Sequence, residues 1–223
     1  MMNIKSLLWP QIIFRSKSSY NPKIEVVEFL GKKSLRCGGL TQSGSIVEDI
    51  YKKIIHRLPY TVNRTQHTIY GIQNALVLGL GAGTIIKLLT AKYPDIKIIG
   101  VEIDPEIIII GKTFFGLQNG KNLRIIKADA VKYLHKIKNT AGFDLIFVDL
   151  YLGEKINPKI SDNGFLSKIK KITAKNGVVV FNKINFRQHK FDNEVFIKKI
   201  KAVFDAVAVK KSYSNLLIFC INN

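Results

Sequence analysis

The sequence predicts an α/β fold: a doubly wound, mostly parallel sheet preceded by a small N-terminal β region. Three observations lead there. From Asn74 onward five apolar runs, ALVLGL, IKIIGVEI, LRIIKA, FDLIFVDL and GVVVFNKI, alternate with helical stretches near 84–92, 105–115, 130–138, 161–173 and 191–204. Continuous apolar strands separated by helices are the pattern of a parallel sheet covered on both faces, with right-handed crossovers. The chain then closes with DAVAVK and SNLLIFCI, joined only by Lys210 to Tyr213. A tight turn can join only antiparallel strands, so one strand near the sheet edge is reversed. Finally, the first apolar run ends in VLGLGAGT, where Gly79, Gly81 and Gly83 lead directly into the helix TIIKLLTAKY. Glycines at that point let the backbone approach something closely.

Ahead of this rhythm, residues 4–40 read as β structure, with IEVVEFL and SLRCGGL as short strands around a hairpin candidate at Gly31-Lys32-Lys33. SIVE at 45–48 has the form of a capping box, Ser45 as N-cap and Glu48 at the third helical position. The helix it opens runs to about Leu58, with Ile46, Ile50, Ile54 and Ile55 on one face and Pro59 beyond its end. The polar stretch 60–73 reads as an irregular connection. The expected division is an N-terminal β region plus helix at 1–60, a connection at 61–73, and the main domain at 74–223.

With 223 residues the chain suits one domain, or one domain with a small appendage. Its formal charge of +19 favours anionic partners at long range. However, 29 of the 35 basic residues are lysines scattered along the chain, which reads as solvated faces before a nucleic-acid groove. Nucleic acid is therefore an alternative partner, not the favoured one. Cys37 and Cys220 have no metal-ligand spacing, and His56, His67, His135 and His189 are scattered, so no metal site is expected. The segment SLLWPQIIF is short and broken by Pro10, unlike a signal peptide, and no apolar run reaches membrane-spanning length. The expectation is a cytoplasmic protein with no membrane partner.

The glycine loop departs from two phosphate motifs. G-x-G-x-x-G would place its third glycine where Thr84 stands, and no P-loop lysine follows. The loop fits a nucleoside or nucleotide held against bare backbone. Roughly 20 residues on, Glu102 ends the second strand, where a carboxylate can accept both ribose hydroxyls. Asp104 precedes Pro105, and an N-cap followed by proline at the first helical position explains both without a ligand. Asp129 in IIKADAVKYL either caps the next helix or accepts the adenine amino group, with the backbone of Ala130 facing the ring; the two roles are compatible. Asp149 closes the apolar strand FDLIFVDL, where a carboxylate is costly unless paired or used.

The order glycine loop, VEID, ADA, FVDL resembles the class I S-adenosylmethionine-dependent methyltransferase fold. More narrowly it resembles spermidine synthases, the polyamine aminopropyltransferases. GLTQSG and YKKIIHRLPY are similar to that family's strand ending in Gly-x-x-Gln and its Tyr-containing helix ending in Leu-Pro. The resemblance covers about residues 20–220. It implies a sheet of about seven strands in the order 3-2-1-4-5-7-6. It also implies an adenosyl sulfonium cofactor, S-adenosylmethionine or its decarboxylated form, between Gly79–Gly83, Glu102 and Asp129, with Gln42 and Tyr51 lining the site and Asp149 at the attacking nucleophile. Two positions depart from the family: its Gly-Gly-Gly-Asp-Gly loop has Ala82 in place of the acid, and the second acid of its Asp-Ser-x-Asp-Pro segment is Leu152.

The chemistry common to these families is substitution at a carbon bonded to a sulfonium. Catalysis is then mainly alignment, helped by a base that takes the proton of an amine; Asp149, assisted by Tyr51, is the candidate. The two missing acids favour methyl transfer to a small nucleophile, an amine. Aminopropyl transfer, or a non-catalytic basic module binding nucleic acid or another anion, are the alternatives. A homodimer is compatible with all three.

Overall fold

The computed structural model describes residues 9–56, 58, 61–63, 68–139, 142–152 and 155–223. Pro59 and His67 lie outside them. The N-terminal region is a four-stranded antiparallel sheet in the order β1-β2-β3-β4, made of β1 (Gln11–Ser16), β2 (Ile24–Phe29), β3 (Lys32–Cys37) and β4 (Leu40–Ser43). Its β2–β3 turn is Leu30-Gly31, one residue earlier than expected. Both residues have positive φ, 50° and 70°, the geometry that matches strand twist in a two-residue hairpin.

The helix α1 (Ser45–Ile55) is present, but the capping box is not. Gly44 is the N-cap at φ 118° and no side chain caps the helix. The corner is set by packing instead: a Cβ on Gly44 would lie 2.8 Å from Ser34 Cα, and the Gly44 N–H donates to Thr84 Oγ1 at 3.2 Å. Glu48, freed from the cap, pairs with Lys52 and Lys87. The stretch read as an irregular connection holds a short antiparallel hairpin, β5 (Thr61–Asn63) and β6 (Thr68–Tyr70).

The main body follows the expected alternation: β7 (Asn74–Leu78), α2 (Thr84–Lys92), β8 (Lys97–Glu102), α3 (Pro105–Phe115), β9 (Leu123–Lys127), α4 (Ala130–Lys136) and β10 (Phe143–Val148). An unexpected two-residue ribbon, β11 (Tyr151–Leu152) with β12 (Lys155–Ile156), intervenes before α5 (Asn163–Ile172), β13 (Thr173–Ile184), α6 (Lys190–Val203), β14 (Ala206–Ser212) and β15 (Asn215–Asn222). The seven-stranded sheet runs β14-β15-β13-β10-β7-β8-β9, the order 3-2-1-4-5-7-6. All pairs are parallel except β15, which is antiparallel to both its neighbours.

The apolar runs bury both faces. Ala75, Val77, Leu145, Phe147 and Val180 pack under α1 and α2. Leu76, Leu78, Ile146, Val148 and Phe181 pack under α4, α5 and α6. Thus α1, grouped with the N-terminal region in the sequence reading, contributes Ile50, Ile54 and Ile55 to the main core. The N-terminal sheet covers α3 through Ile24, Val26 and Leu35 against Ile107 and Ile110. Among the described residues no helix is long and apolar enough to cross a membrane.

Part of the lysine excess closes helices. A helix leaves its last carbonyls without internal partners and carries partial negative charge there. Lys92 Nζ reaches the carbonyls of Ile55, His56 and Leu58 at 2.6, 3.2 and 2.9 Å, at the end of α1. Lys168 does the same for Ile137 after α4, and Lys170 for Val203 at the end of α6. Lys92→Met, which keeps the stem and removes the donors, is expected to cost about 1 kcal/mol, or ~2–4 °C in Tm. Thermal unfolding beside a surface control, Lys198→Met, checks this.

Candidate active site

Between β7 and β10 the sheet opens at its carboxyl end. The Gly79 N–H and Leu80 N–H turn away to Val101 O at 3.0 and 3.1 Å, while the Asp149 N–H continues the ladder to Leu78 O at 2.8 Å. The two backbones stay in contact at the fork. Gly79 has φ 87°, and a Cβ there would lie 2.0 Å from the Asp149 carbonyl oxygen. Only glycine fits. The crevice above is roofed on one side by the N-terminal sheet and α1.

Most residues expected at the site line this crevice: Gln42, Tyr51, Gly79, Gly81, Glu102, Asp129, Ala130 and Asp149. Gly83 does not. It is the N-cap of α2 at φ 92°, and a Cβ on it would meet Leu117 Cδ1 at 2.8 Å; helix packing explains it. Ala82 is also turned out of the crevice, its methyl buried among Ile24, Leu35, Ile107 and Ile110. An acid at position 82 would place a carboxylate in that apolar cluster, so local packing accounts for the alanine, contrary to the expectation that its loss reshapes the ligand site.

Each carboxylate of the crevice is tied down. Glu102 Oε2 accepts from the Gly81 N–H at 2.9 Å, and Oε1 from Ile103 and Asp104 N–H at 2.9 and 3.1 Å. It thereby holds the glycine loop to the end of β8. Burial nevertheless raises its pKa, against these hydrogen bonds. Asp129 caps α4 through the Lys132 N–H at 2.9 Å while lining the crevice. Asp104, read as an N-cap, caps the Glu106 N–H at 3.0 Å and also accepts from Ser18 Oγ and Asn21 Nδ2 at 2.5 and 2.7 Å. It clasps the segment before β2 to α3.

Asp149 is held by side chains of two separate elements. Its Oδ2 accepts from the Tyr51 hydroxyl at 2.8 Å and its Oδ1 from Asn182 Nδ2 at 2.8 Å. Tyr51 is 1 % exposed, its ring edge-on to Phe147 at 5.8 Å. Burial raises the Asp149 pKa, opposed by those two donors. The Tyr51 hydroxyl is pushed well above its usual range by burial and then by the neighbouring carboxylate. In this pair Tyr51 is the donor and Asp149 the acceptor. The Cys37 thiol also borders the crevice, but burial, with Asp104 and Glu102 behind it, pushes its pKa up to about 12, so it is no nucleophile.

Asn21, Ser43, Tyr151 and Asn182 are among the lining or supporting residues that escape the sequence reading. Ser43 Oγ accepts from the Ala82 N–H at 3.0 Å, docking β4 on the glycine loop. Asn182 carries the same signal as Asp149, a polar residue closing the apolar run GVVVFN. Asn21 lies in the turn-like SSYNP, where nothing in the sequence separates a ligand residue from a loop residue. The charge of the lining is one-sided. Glu102, Asp129 and Asp149 are there, and among the described residues no lysine or arginine is.

The raised Asp149 pKa has a consequence for stability. Between its unfolded value and its higher folded value the native state holds the extra proton, so stability falls as pH rises through that window and is flat above it. Asp149→Asn, whose amide can serve both neighbours, is expected to remove that slope and raise Tm at pH 7 by a few degrees. Parallel melts from pH 3.5 to 8 check it; an unchanged slope or a lower Tm would contradict it.

The residues 48–221 match the Spermine/spermidine synthase domain. The chain is 28% identical to an eEF1A lysine and N-terminal methyltransferase homolog of Drosophila pseudoobscura pseudoobscura, over 93% of this chain and 36% of that protein. It is 31% identical to a polyamine aminopropyltransferase of Vibrio vulnificus, over 49% of this chain and 37% of that one. It thus spans little more than a third of the length of these relatives. Spermidine synthase from Thermotoga maritima has the same fold, with a TM-score of 0.73 at 16% identity, covering 96% of this chain and 73% of that one. Human Methyltransferase-like protein 13 in complex with SAH gives 0.57 at 23% identity, over 78% of each chain. With the matched segment running from α1, through the glycine fork and Asp149, into β15, this chain belongs to the spermine/spermidine synthase domain family.

Proposed function

We propose that this chain is a transferase that binds an adenosyl sulfonium cofactor and alkylates an amine, preferring S-adenosylmethionine and methyl transfer to the decarboxylated form and aminopropyl transfer. The observation that carries this is the lining charge: three carboxylates and, among the described residues, no lysine or arginine, in a protein of net charge +19. A sulfonium cation suits such a crevice. The phosphates of a dinucleotide or of nucleic acid do not.

In this reading Glu102 accepts the ribose hydroxyls with the lone pairs its backbone donors leave, which a carboxylate with roughly four acceptor positions allows. Asp129 and the Ala130 backbone take the adenine edge, and Asn21 and Gln42 close the N-terminal side. The cofactor supplies an alkyl carbon already activated by positive sulfur, and its transfer to an amine leaves a neutral thioether. Asp149 takes the proton the amine releases, while Tyr51 and Asn182 hold the carboxylate still. Alignment and this proton acceptor are what the chain contributes.

The preference for methyl transfer rests on how the acids are occupied. A decarboxylated cofactor and a diamine acceptor together bring several ammonium groups. Glu102 is engaged by three N–H groups, Asp129 by a helix cap and Asp149 by Tyr51 and Asn182, so each of the three acids is already occupied by donors of the chain itself. The names of the relatives, a lysine and N-terminal methyltransferase homolog and a polyamine aminopropyltransferase, both imply amine acceptors for those proteins. Aminopropyl transfer is the second reading, favoured by the family match.

Calorimetry with S-adenosylmethionine, its decarboxylated form and NAD is the primary test, followed by mass analysis of products with putrescine and with lysine-containing peptides. S-adenosylmethionine is expected to bind tightest. Glu102→Ala should weaken it by ~1–3 kcal/mol, and Asp149→Asn should abolish transfer while leaving binding within about twofold. Tightest binding of NAD would overturn the reading, and brisk spermidine formation would establish the second one.

A further inference from the structure

Asn182, which holds Asp149, is itself the middle of a chain of side chains whose outer links the reaction scheme above does not use. Asn182 Nδ2 donates to Asp149 Oδ1 at 2.8 Å, and Asn215 Nδ2 donates to Asn182 Oδ1 at 2.7 Å. Ser214 Oγ lies 3.4 Å from Asn215 Oδ1, on the far side. Every link points one way, toward the carboxylate. An amide has a donor end and an acceptor end, and Asn215 decides which end of Asn182 meets Asp149. Reversing Asn182 would set its carbonyl against the carboxylate and its N–H groups against those of Asn215.

The backbone under Asn182 is equally fixed. β10 pairs with β13 only as far as Val148 opposite Phe181. Beyond that point β13 loses its parallel neighbour, and Tyr151 takes its place. The Tyr151 hydroxyl donates to Asn182 O at 3.1 Å and accepts from the Ile184 N–H at 2.6 Å. On its other edge β13 keeps its ladder to β15, with Asn182 opposite Leu217 and Ile184 opposite Asn215. Asn182 is 7 % exposed. It is braced on both edges and at its side chain, more than the packing of one strand end requires.

We propose that Asn182 and Asn215 are positioning residues, a one-way pair of amides that holds the Asp149 carboxylate ionised and oriented to take the proton of an acceptor amine. The role rests on the transferase reading for its use, but its physical content can be measured without turnover. A single amide donor stabilises the charged form of a carboxylate against burial. Donor chains strengthen along their length, so removing the outer amide weakens the inner bond. The groups facing Asp149 are Tyr51 from α1, Tyr151 from β11, and Glu102 and Asp129 across the crevice. Among the described residues no cation lines that space, so the two donors on its oxygens, Tyr51 and Asn182, are what favour its ionised form against burial. In the transfer step the amine nitrogen gains the alkyl carbon, sulfur keeps the electron pair of the broken bond, and the released proton goes to Asp149.

The test is a direct titration of Asp149 by carbon-detected NMR of its carboxyl group in the whole chain, with Asp149→Asn assigning the signal. Asn182→Leu is expected to raise the pH at which Asp149 titrates by about one unit, a tenfold change in its proton affinity. Asn215→Leu should move it in the same direction by less. Asn215→Asp should move it further than Asn215→Leu, because a second carboxylate competes for the Asn182 donor. Asn182→Gln, which keeps an amide donor, should restore most of the original titration. A merely structural role would lower Tm and leave the titration in place; an Asp149 titration unmoved in both folded leucine variants overturns the proposal. Failure of the transferase reading shows separately, as absent cofactor binding by the unaltered chain. Where turnover is measured, the acid limb of the rate profile should shift with the titration while cofactor affinity stays within twofold.

Discussion

The contact on which the rest depends is between two backbones. Where β7 and β10 part, the Asp149 carbonyl occupies the space a Cβ of residue 79 would need. Parallel neighbours that run on together leave no opening. Here the chain leaving β7 turns to β8 while the chain leaving β10 goes straight for one more residue. The fork creates the crevice, presents the glycine loop as bare backbone on one wall, and carries the Asp149 side chain to the other. Ligands of open α/β sheets bind at such a switch in strand order, and this is the place where the order reverses, with β8 and β9 on one side and β10 and β13 on the other.

Around the crevice, three buried or half-buried carboxylates each join separate segments of the chain. Glu102 joins the loop after β7 to the start of α3. Asp104 joins the segment before β2 to the same helix. Asp149 joins α1 to the end of β13. A buried charge without donors would cost several kcal/mol; with them, the groups that look functional also hold the N-terminal sheet over the site. The N-terminal region is accordingly less separate than its sequence suggests, since Ser43, Asn21 and Tyr51 all reach into the main domain.

Charge divides by location. Among the described residues no lysine lines the crevice, and several lysines cap helices or pair locally. Lys92 closes α1, Lys168 closes α4, Lys170 closes α6 and also pairs with Asp205, and Lys52 and Lys87 share Glu48. Net charge acts at long range on association and solubility. It says nothing about a crevice whose own lining has the opposite sign.

The mostly parallel sheet, the carboxyl-end location of the site, and Gly79, Glu102, Asp129 and Asp149 are legible in the sequence, because each depends on local pattern: apolar runs of strand length, glycines that end them, and acids where an apolar strand stops; the strand order comes from the family resemblance instead. What the sequence does not carry depends on residues far apart in the chain. The capping box at Ser45 yields to Gly44 because β3 and α2 crowd that corner. Ala82 faces a core rather than the ligand because the N-terminal sheet lies on α3. Gly83 makes room for Leu117, just past the end of α3. Asn182 becomes a partner of Asp149 only because β13 outruns β10 and Asn215, 33 positions away, fixes its amide. Local spacing determines which elements form and where their ends lie, since helix and strand periods are properties of neighbouring residues. Which side chains meet across those ends is decided only by the tertiary structure, because a hydrogen bond between strand ends depends on register and on how far each strand runs, and no short stretch of sequence contains either.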